Sequence, residues 1–91
     1  AADITLPLGG DGMVLDVVVN DARLARTLQP EWIGRPWLET VTEESRPRLR
    51  ELLQEAMRET KPAEGEVNHR VATDRPVRLV RYCVTCMAGS K

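Results

Sequence analysis

Residues Asp3–Asp21 read "DITLPLGGDGMVLDVVVND", two apolar runs separated by a cluster of glycines. In Asp3–Leu8 the apolar residues Ile4, Leu6 and Leu8 alternate with polar or turn residues, the two-residue period of a strand with one buried face. "GGDG" (Gly9–Gly12) follows, and then "MVLDVVV" (Met13–Val19), rich in β-branched residues. Apolar runs on both sides of a glycine turn that contains Asp-Gly predict a β-hairpin. Asn20 and Asp21 then offer N-caps for a short helix over "DARLART", where Leu24 and Leu28 lie four apart on one face.

Beyond this opening, "QPEWIGRPWLETV" is interrupted by Pro30, Gly34 and Pro36. It predicts one or two short helical turns with Trp32, Ile33, Trp37 and Leu38 pointing inward. "TEESRPRLRELLQEAMRET" is the clearest helix, read from Glu43 to Thr60: Leu49, Leu52, Leu53, Ala56 and Met57 make one stripe on a 3.6-residue repeat. Thr42 or Ser45 caps it, Glu43 and Glu44 suit its positive end, and Pro47 is tolerable only near that end. "KPAEG" (Lys61–Gly65) stops it. The rest reads as two strands, "EVNHRVAT" (Glu66–Thr73) and "VRLVRYCVTCMA" (Val77–Ala88), joined by a turn before Pro76. In the second, Val80, Tyr82, Val84 and Cys86 share one face, and Arg81, Cys83 and Thr85 share the other with Val77 and Leu79 before them. The order β-β-α-α-α-β-β predicts a single α+β domain over residues 1–91, one sheet with helices on one face.

Composition narrows the function classes. Thirteen Lys and Arg against fourteen Asp and Glu leave a net charge of −1, which gives no electrostatic reason for direct contact with nucleic acid or a membrane surface. No apolar run approaches the length of a membrane span. The start lacks the cationic and long apolar regions of a signal peptide, and two cysteines make no disulfide framework, so a reducing cytoplasm is expected. A start without Met leads us to expect a piece of a longer protein. Aromatic residues are few (Trp32, Trp37, Tyr82), which argues against a flavin pocket or a base-stacking platform.

The order of elements and several local sequences resemble the PAS domain family. "DGMVLDVVVND" (Asp11–Asp21) is similar to its opening hairpin leading into a helix at Asn or Asp. "IGRPWLETVTEESRPRLRELLQEA" (Ile33–Ala56) is similar to the family's passage into its long helix. Within the family, "GRPWLETVTEESRP" with "VNH" (Val67–His69), "PVR" and "VRY" is similar to PAS modules of the PpsR/CrtJ repressors of photosynthesis genes. The resemblance implies an antiparallel sheet, normally of five strands, in a regulatory module of an oligomeric transcriptional regulator. It implies homo-oligomers formed through PAS surfaces, and DNA reached only through a separate domain. The wider group has been connected with redox-active thiols and haem. Four strands fall one short of the family's five, so the last strand is expected to present an open edge for pairing with another chain.

The candidate site residues carry bland readings beside the sharp ones. His69, the sole histidine, is the candidate for a haem ligand or pH sensor, but a lone strand histidine without a second ligand nearby reads as a local hydrogen-bonding residue. Cys83 and Cys86 are the redox candidates, yet strand alternation points residues three apart to opposite faces, and zinc lacks further ligands. "GGDG" leads into a strand, unlike a phosphate loop, which leads into a helix. The glutamates of the long helix, interleaved with arginines, read as a solvated face. No catalytic constellation emerges, so no enzyme activity and no cofactor are expected. Apolar residues on both parities of the last strand nominate Val77, Leu79, Arg81, Val80, Tyr82 and Val84 for an interface. The resulting expectation is a regulatory module that self-associates and relays a signal to a DNA-binding domain outside this chain. The alternative is a ligand-sensing domain holding haem or a small metabolite between helices and sheet.

Overall fold

The computed structural model describes residues 2–59 and 61–87. Strand β1 (Ile4–Leu8) and the two-residue β2 (Val18–Val19) precede helix α1 (Ala22–Trp32), a 3-10 turn (Trp37–Glu39) and helix α2 (Arg46–Arg58); β3 (Ala63–His69) and β4 (Arg78–Cys86) follow. The strands form one sheet in the order β2-β1-β4-β3. Ile4, Leu6 and Leu8 of β1 and Val80, Tyr82 and Val84 of β4 turn to the same face. There they share one buried cluster with Leu24, Leu28 and Trp32 of α1 and Leu49, Leu52 and Ala56 of α2. Burying each large aliphatic side chain contributes about 1.5–3 kcal/mol, which is what holds the helices on the sheet. No helix among the described residues is long and apolar enough to cross a membrane.

The hairpin turn forms where the glycines place it. Gly9 N–H donates to Met13 O at 2.8 Å and Gly12 N–H to Gly9 O at 2.9 Å, with Gly12 at φ 84°, a backbone conformation that glycine adopts without steric cost. The second arm departs from the regular strand predicted over Met13–Val19. Leu8 faces Val14 while Ile4 faces Val19, so one extra residue is accommodated in that arm, the geometry of a bulge. The bulge lets Val14 and Val17 both enter the core although they are three apart. Val14 also bonds outward to the chain beyond α1, its N–H to Arg35 O at 2.9 Å and its O accepting from Gly34 N–H at 2.8 Å.

Three boundaries shift for local reasons. Helix α1 runs through Pro30 instead of stopping at it, because a proline in the last turn removes a single N–H and Trp32 extends the Leu24–Leu28 line into the core. The two short helical turns expected next reduce to the 3-10 turn, so the third helix of the predicted order is not an α-helix. Helix α2 begins at Arg46, its cap Ser45 making no side-chain capping bond, and the described part ends at Arg58 with Glu59 as C-cap. Thr60, the predicted end, lies outside the described residues. Strand β3 begins at Ala63, inside the segment read as a helix stop. Gly65 belongs to the strand because α2 presses on it: a Cβ there would meet an Arg48 nitrogen at 2.9 Å and Leu52 Cδ1 at 3.1 Å.

Two expectations about the sheet are corrected. The sheet is mixed, not antiparallel: β1 and β4 run parallel, with Ile4 opposite Tyr82 and Leu8 opposite Cys86. Hairpin turns fix direction within β1–β2 and β3–β4, but β1 and β4 are joined only through the helices, and alternation of apolar residues does not encode their relative direction. Strand β4 is also not an edge strand, since β1 bonds to one side of it and β3 to the other. The edges among the described residues are β2 and β3. Ala88–Lys91 lie outside the described residues.

Candidate functional site

His69 ends β3 on the inner face and is only 5% exposed. Its Nε2 lies 2.8 Å from the Tyr82 hydroxyl on β4, and the Tyr82 ring in turn packs on Trp37 with centroids 5.4 Å apart. Tyr82 is fully buried, and burial pushes its hydroxyl well above the usual phenol range, so it stays protonated. The direction of the bond then depends on the imidazole tautomer. If Tyr82 donates to Nε2, its proton is satisfied and the imidazole proton sits on Nδ1. The reverse arrangement would leave a buried O–H without an acceptor. Each arrangement leaves one buried donor unpaired, and burial holds the His69 pKa below the ordinary histidine value. Nδ1 is itself buried without a hydrogen-bond partner among the described residues, as is Trp37 Nε1.

Beside His69 opens a cleft of about 460 Å³ between α1, the chain before α2, and the β3–β4 connection. Five hydroxyl-bearing residues stand in its wall: Thr27 on α1, Thr40, Thr42 and Ser45 ahead of α2, and Thr73 on the connection. Thr42 Oγ1 donates to Ser45 Oγ at 3.3 Å, and Thr40 Oγ1 to Trp37 O at 2.7 Å. Glu31, Glu44 and Arg70 supply the charged part of the lining. The cleft does not suit haem. One imidazole nitrogen is taken by Tyr82 and the other is covered, so neither is presented to an iron.

A second pocket, of about 170 Å³, lies on the other side of the same connection, where β1, β2 and β4 meet the start of α1. Val71 lines both cavities. The connection between them is tied to α1 by an ion pair, Arg75 Nη1 to Asp21 Oδ2 at 2.9 Å. Asp21 is also the N-cap of α1, its Oδ1 accepting from the N–H groups of Arg23 and Leu24. The Arg75 bond and these backbone donors hold its carboxyl below the usual range. One loop thus walls two cavities, packs Val71 and Ala72 against the core and is tied to the first helix by the Arg75–Asp21 ion pair.

The family model of the PAS fold matches residues 2–86. The chain belongs to the PAS-fold family. No curated protein and no solved structure matches it. PAS membership makes this a regulatory or sensory module, and places the cavities flanking the β3–β4 connection at the centre of interest.

The PAS sheet distributes the other candidates unequally. Cys83 stands on the outer face between Thr5 and Glu64, whereas Cys86 packs against the core from the other side. Burial, and for Cys83 also the Glu64 carboxylate, raise both thiols above their usual pKa, which disfavours the reactive thiolate. Among the described residues no three His, Cys, Asp or Glu side chains are grouped to hold a metal. Of the six interface candidates, Val80, Tyr82 and Val84 are covered by the domain's own helices and offer nothing to a partner. Leu79 and Arg81 lie on the outer face, where Arg81 pairs with Glu66 at 3.3 Å, and Val77 is exposed before β4 and lines the cleft. The Tyr82 partnership of His69 was not foreseen. The signal was available, since a buried Tyr and a buried His on neighbouring inner faces both need a partner. The Asp21–Arg75 tie, spanning 54 positions, leaves no local trace in the sequence.

Proposed function

We propose that this PAS domain is the sensory module of a cytoplasmic regulator, taking up a small metabolite beside the β3–β4 connection and passing the change to the sheet. The observation that carries this reading is the shared loop: Val71 borders both cavities, and Arg75 ties the loop to Asp21. Occupying either cavity shifts a segment that continues directly into β4, one of the two interior strands of the described sheet. The wider setting we propose is a transcriptional regulator of the PpsR/CrtJ type, supported by the resemblance of Gly34–Pro47 and Val67–His69; DNA binding then belongs to another domain. A thermal-shift screen of metabolites, followed by amide NMR of each hit, tests the sensory reading. A ligand at 100 times its Kd adds about 2.7 kcal/mol to stability, and hits should displace the resonances of residues 70–77. A screen whose stabilising compounds leave those resonances unmoved overturns it.

Self-association is the second reading, favoured by apolar side chains left open on the outer sheet face. Val18 is 51% and Leu79 53% exposed there, an arrangement suited to a second copy. Light scattering on the wild type and on L79E checks this. A concentration-dependent dimer that L79E dissociates supports it, and a strict monomer at high concentration removes it.

A further inference from the structure

The smaller pocket has a composition that specifies a ligand class. Its floor is aliphatic: Ile4, Leu24 and Val80 are buried core residues, joined by Val19 and Val71. No aromatic ring lines it. Its volume of about 170 Å³ is close to that of an engineered apolar cavity of about 150 Å³ that holds benzene, so it fits a hydrocarbon body of roughly six carbons.

The charged lining is not neutral in what it has left to offer. Asp21 is engaged on both oxygens, by the α1 backbone and by Arg75. Asp3 accepts the Arg81 backbone N–H at 2.9 Å. Both carboxylates thus hold partners, Asp3 through one oxygen only, and of the two guanidiniums Arg75 is paired with Asp21 but keeps further N–H donors. Arg75 uses one nitrogen on Asp21, and Arg78 makes neither an ion pair nor a side-chain hydrogen bond among the described residues. Guanidinium donors in a planar fork match a carboxylate better than any neutral group. An aliphatic floor with the Arg78 guanidinium and the remaining Arg75 N–H donors beside it is the pattern of a site that buries a hydrocarbon and orients it by one polar contact.

We propose that this pocket binds a short branched or alicyclic monocarboxylate, its hydrocarbon on Ile4, Leu24, Val71 and Val80 and its carboxylate on Arg78 and Arg75. The proposal rests on the sensory reading only for its biological use, since binding itself can be observed without any output.

Methyl NMR of the chain titrated with cyclohexanecarboxylate tests it, with cyclohexylmethanol and acetate as controls. The carboxylate should shift the methyl signals of Ile4, Leu24 and Val80 saturably. The alcohol should bind at least tenfold more weakly, and acetate should leave the methyls unmoved. R78Q, at an exposed position, should keep the fold and lower carboxylate affinity at least tenfold without changing that of the alcohol. Methyl signals that do not respond, an alcohol that binds equally well, or an R78Q variant of unchanged affinity each overturn it. If the carboxylate binds while the amides of residues 70–77 stay fixed, the ligand class stands and the sensory reading falls. If carboxylates leave the methyls unmoved while screening hits map to the hydroxyl-lined cleft, the ligand class falls and the sensory reading stands.

Discussion

The two ends of the PAS sheet are built by different means. At the hairpin end, backbone bonds knit three segments together: Gly9 to Met13, Val14 to Arg35, Gly34 to Val14 and Trp37 to Gly12, all between 2.8 and 3.0 Å. At the opposite end, residues 70–77 carry one backbone bond of this kind among the described residues, Arg75 N–H to Ala72 O at 3.0 Å. Side chains do the remaining fastening there: Arg75 pairs with Asp21, and Val71 and Ala72 pack against the core. Backbone bonds are tied to chain position and break only with the local fold, whereas an exposed ion pair contributes little and reforms easily. The rigid end sets the register of the sheet, and the adjustable end borders both cavities. Between them the buried line Trp37–Tyr82–His69 runs from one region to the other.

The largest effect should come from the rigid end. Trp37 is wholly buried, and W37A should cost about 3–5 kcal/mol, read as a lowered urea midpoint. A loss under about 1 kcal/mol would mean that the hairpin end is not the anchor described. An intermediate effect belongs to the buried line. Y82F removes the hydroxyl partner of His69 Nε2 and should cost about 1–3 kcal/mol for the buried nitrogen left unpaired, with little change in the packing of the ring on Trp37.

His69 adds a pH dependence whose sign follows from its lowered pKa. The unfolded chain binds a proton near pH 6.5 while the folded chain resists it, so stability is full above about 6.5 and falls as pH drops below that value. The stability gap between wild type and H69Q should therefore narrow from pH 7.5 to 5, whereas a constant gap would place no proton linkage at His69. Glu31, Glu44 and Arg70 line the same cleft and act in both proteins. The smallest effect on stability should be that of R75Q, with a Tm close to wild type. Amide exchange should nonetheless quicken across residues 70–77 and stay unchanged at Gly12, Val14 and Trp37. Equal acceleration at both ends would erase the contrast between them.

Legibility in the sequence followed the same division. The hairpin turn was readable because "GGDG" and its flanking β-branched run act locally, and the faces of β4 were readable because alternation is local too. The bulge in the second arm was not, because it exists to let Val14 and Val17 both reach the core, a demand set by the opposing helices. The start of β3 was hidden for a related reason: Gly65 looks like a breaker in isolation and becomes a strand residue only where α2 lies against it. Val77, Leu79 and Arg81 could be separated from Val80, Tyr82 and Val84 by parity, but not assigned to the outside. Which parity faces the helices depends on where the helices pack.

The sequence by itself determined the α+β class, the hairpin, the apolar stripe of α2 apart from Met57, which is exposed, and the opposite orientations of Cys83 and Cys86. Each follows from residue periods and turn chemistry acting over a few positions. Only the tertiary structure decided that β4 lies inside the sheet parallel to β1, that Tyr82 holds His69, and that Arg75 reaches Asp21. These join residues 13 to 78 positions apart, and what brings them together is the burial of one common core, which no short stretch of the chain encodes.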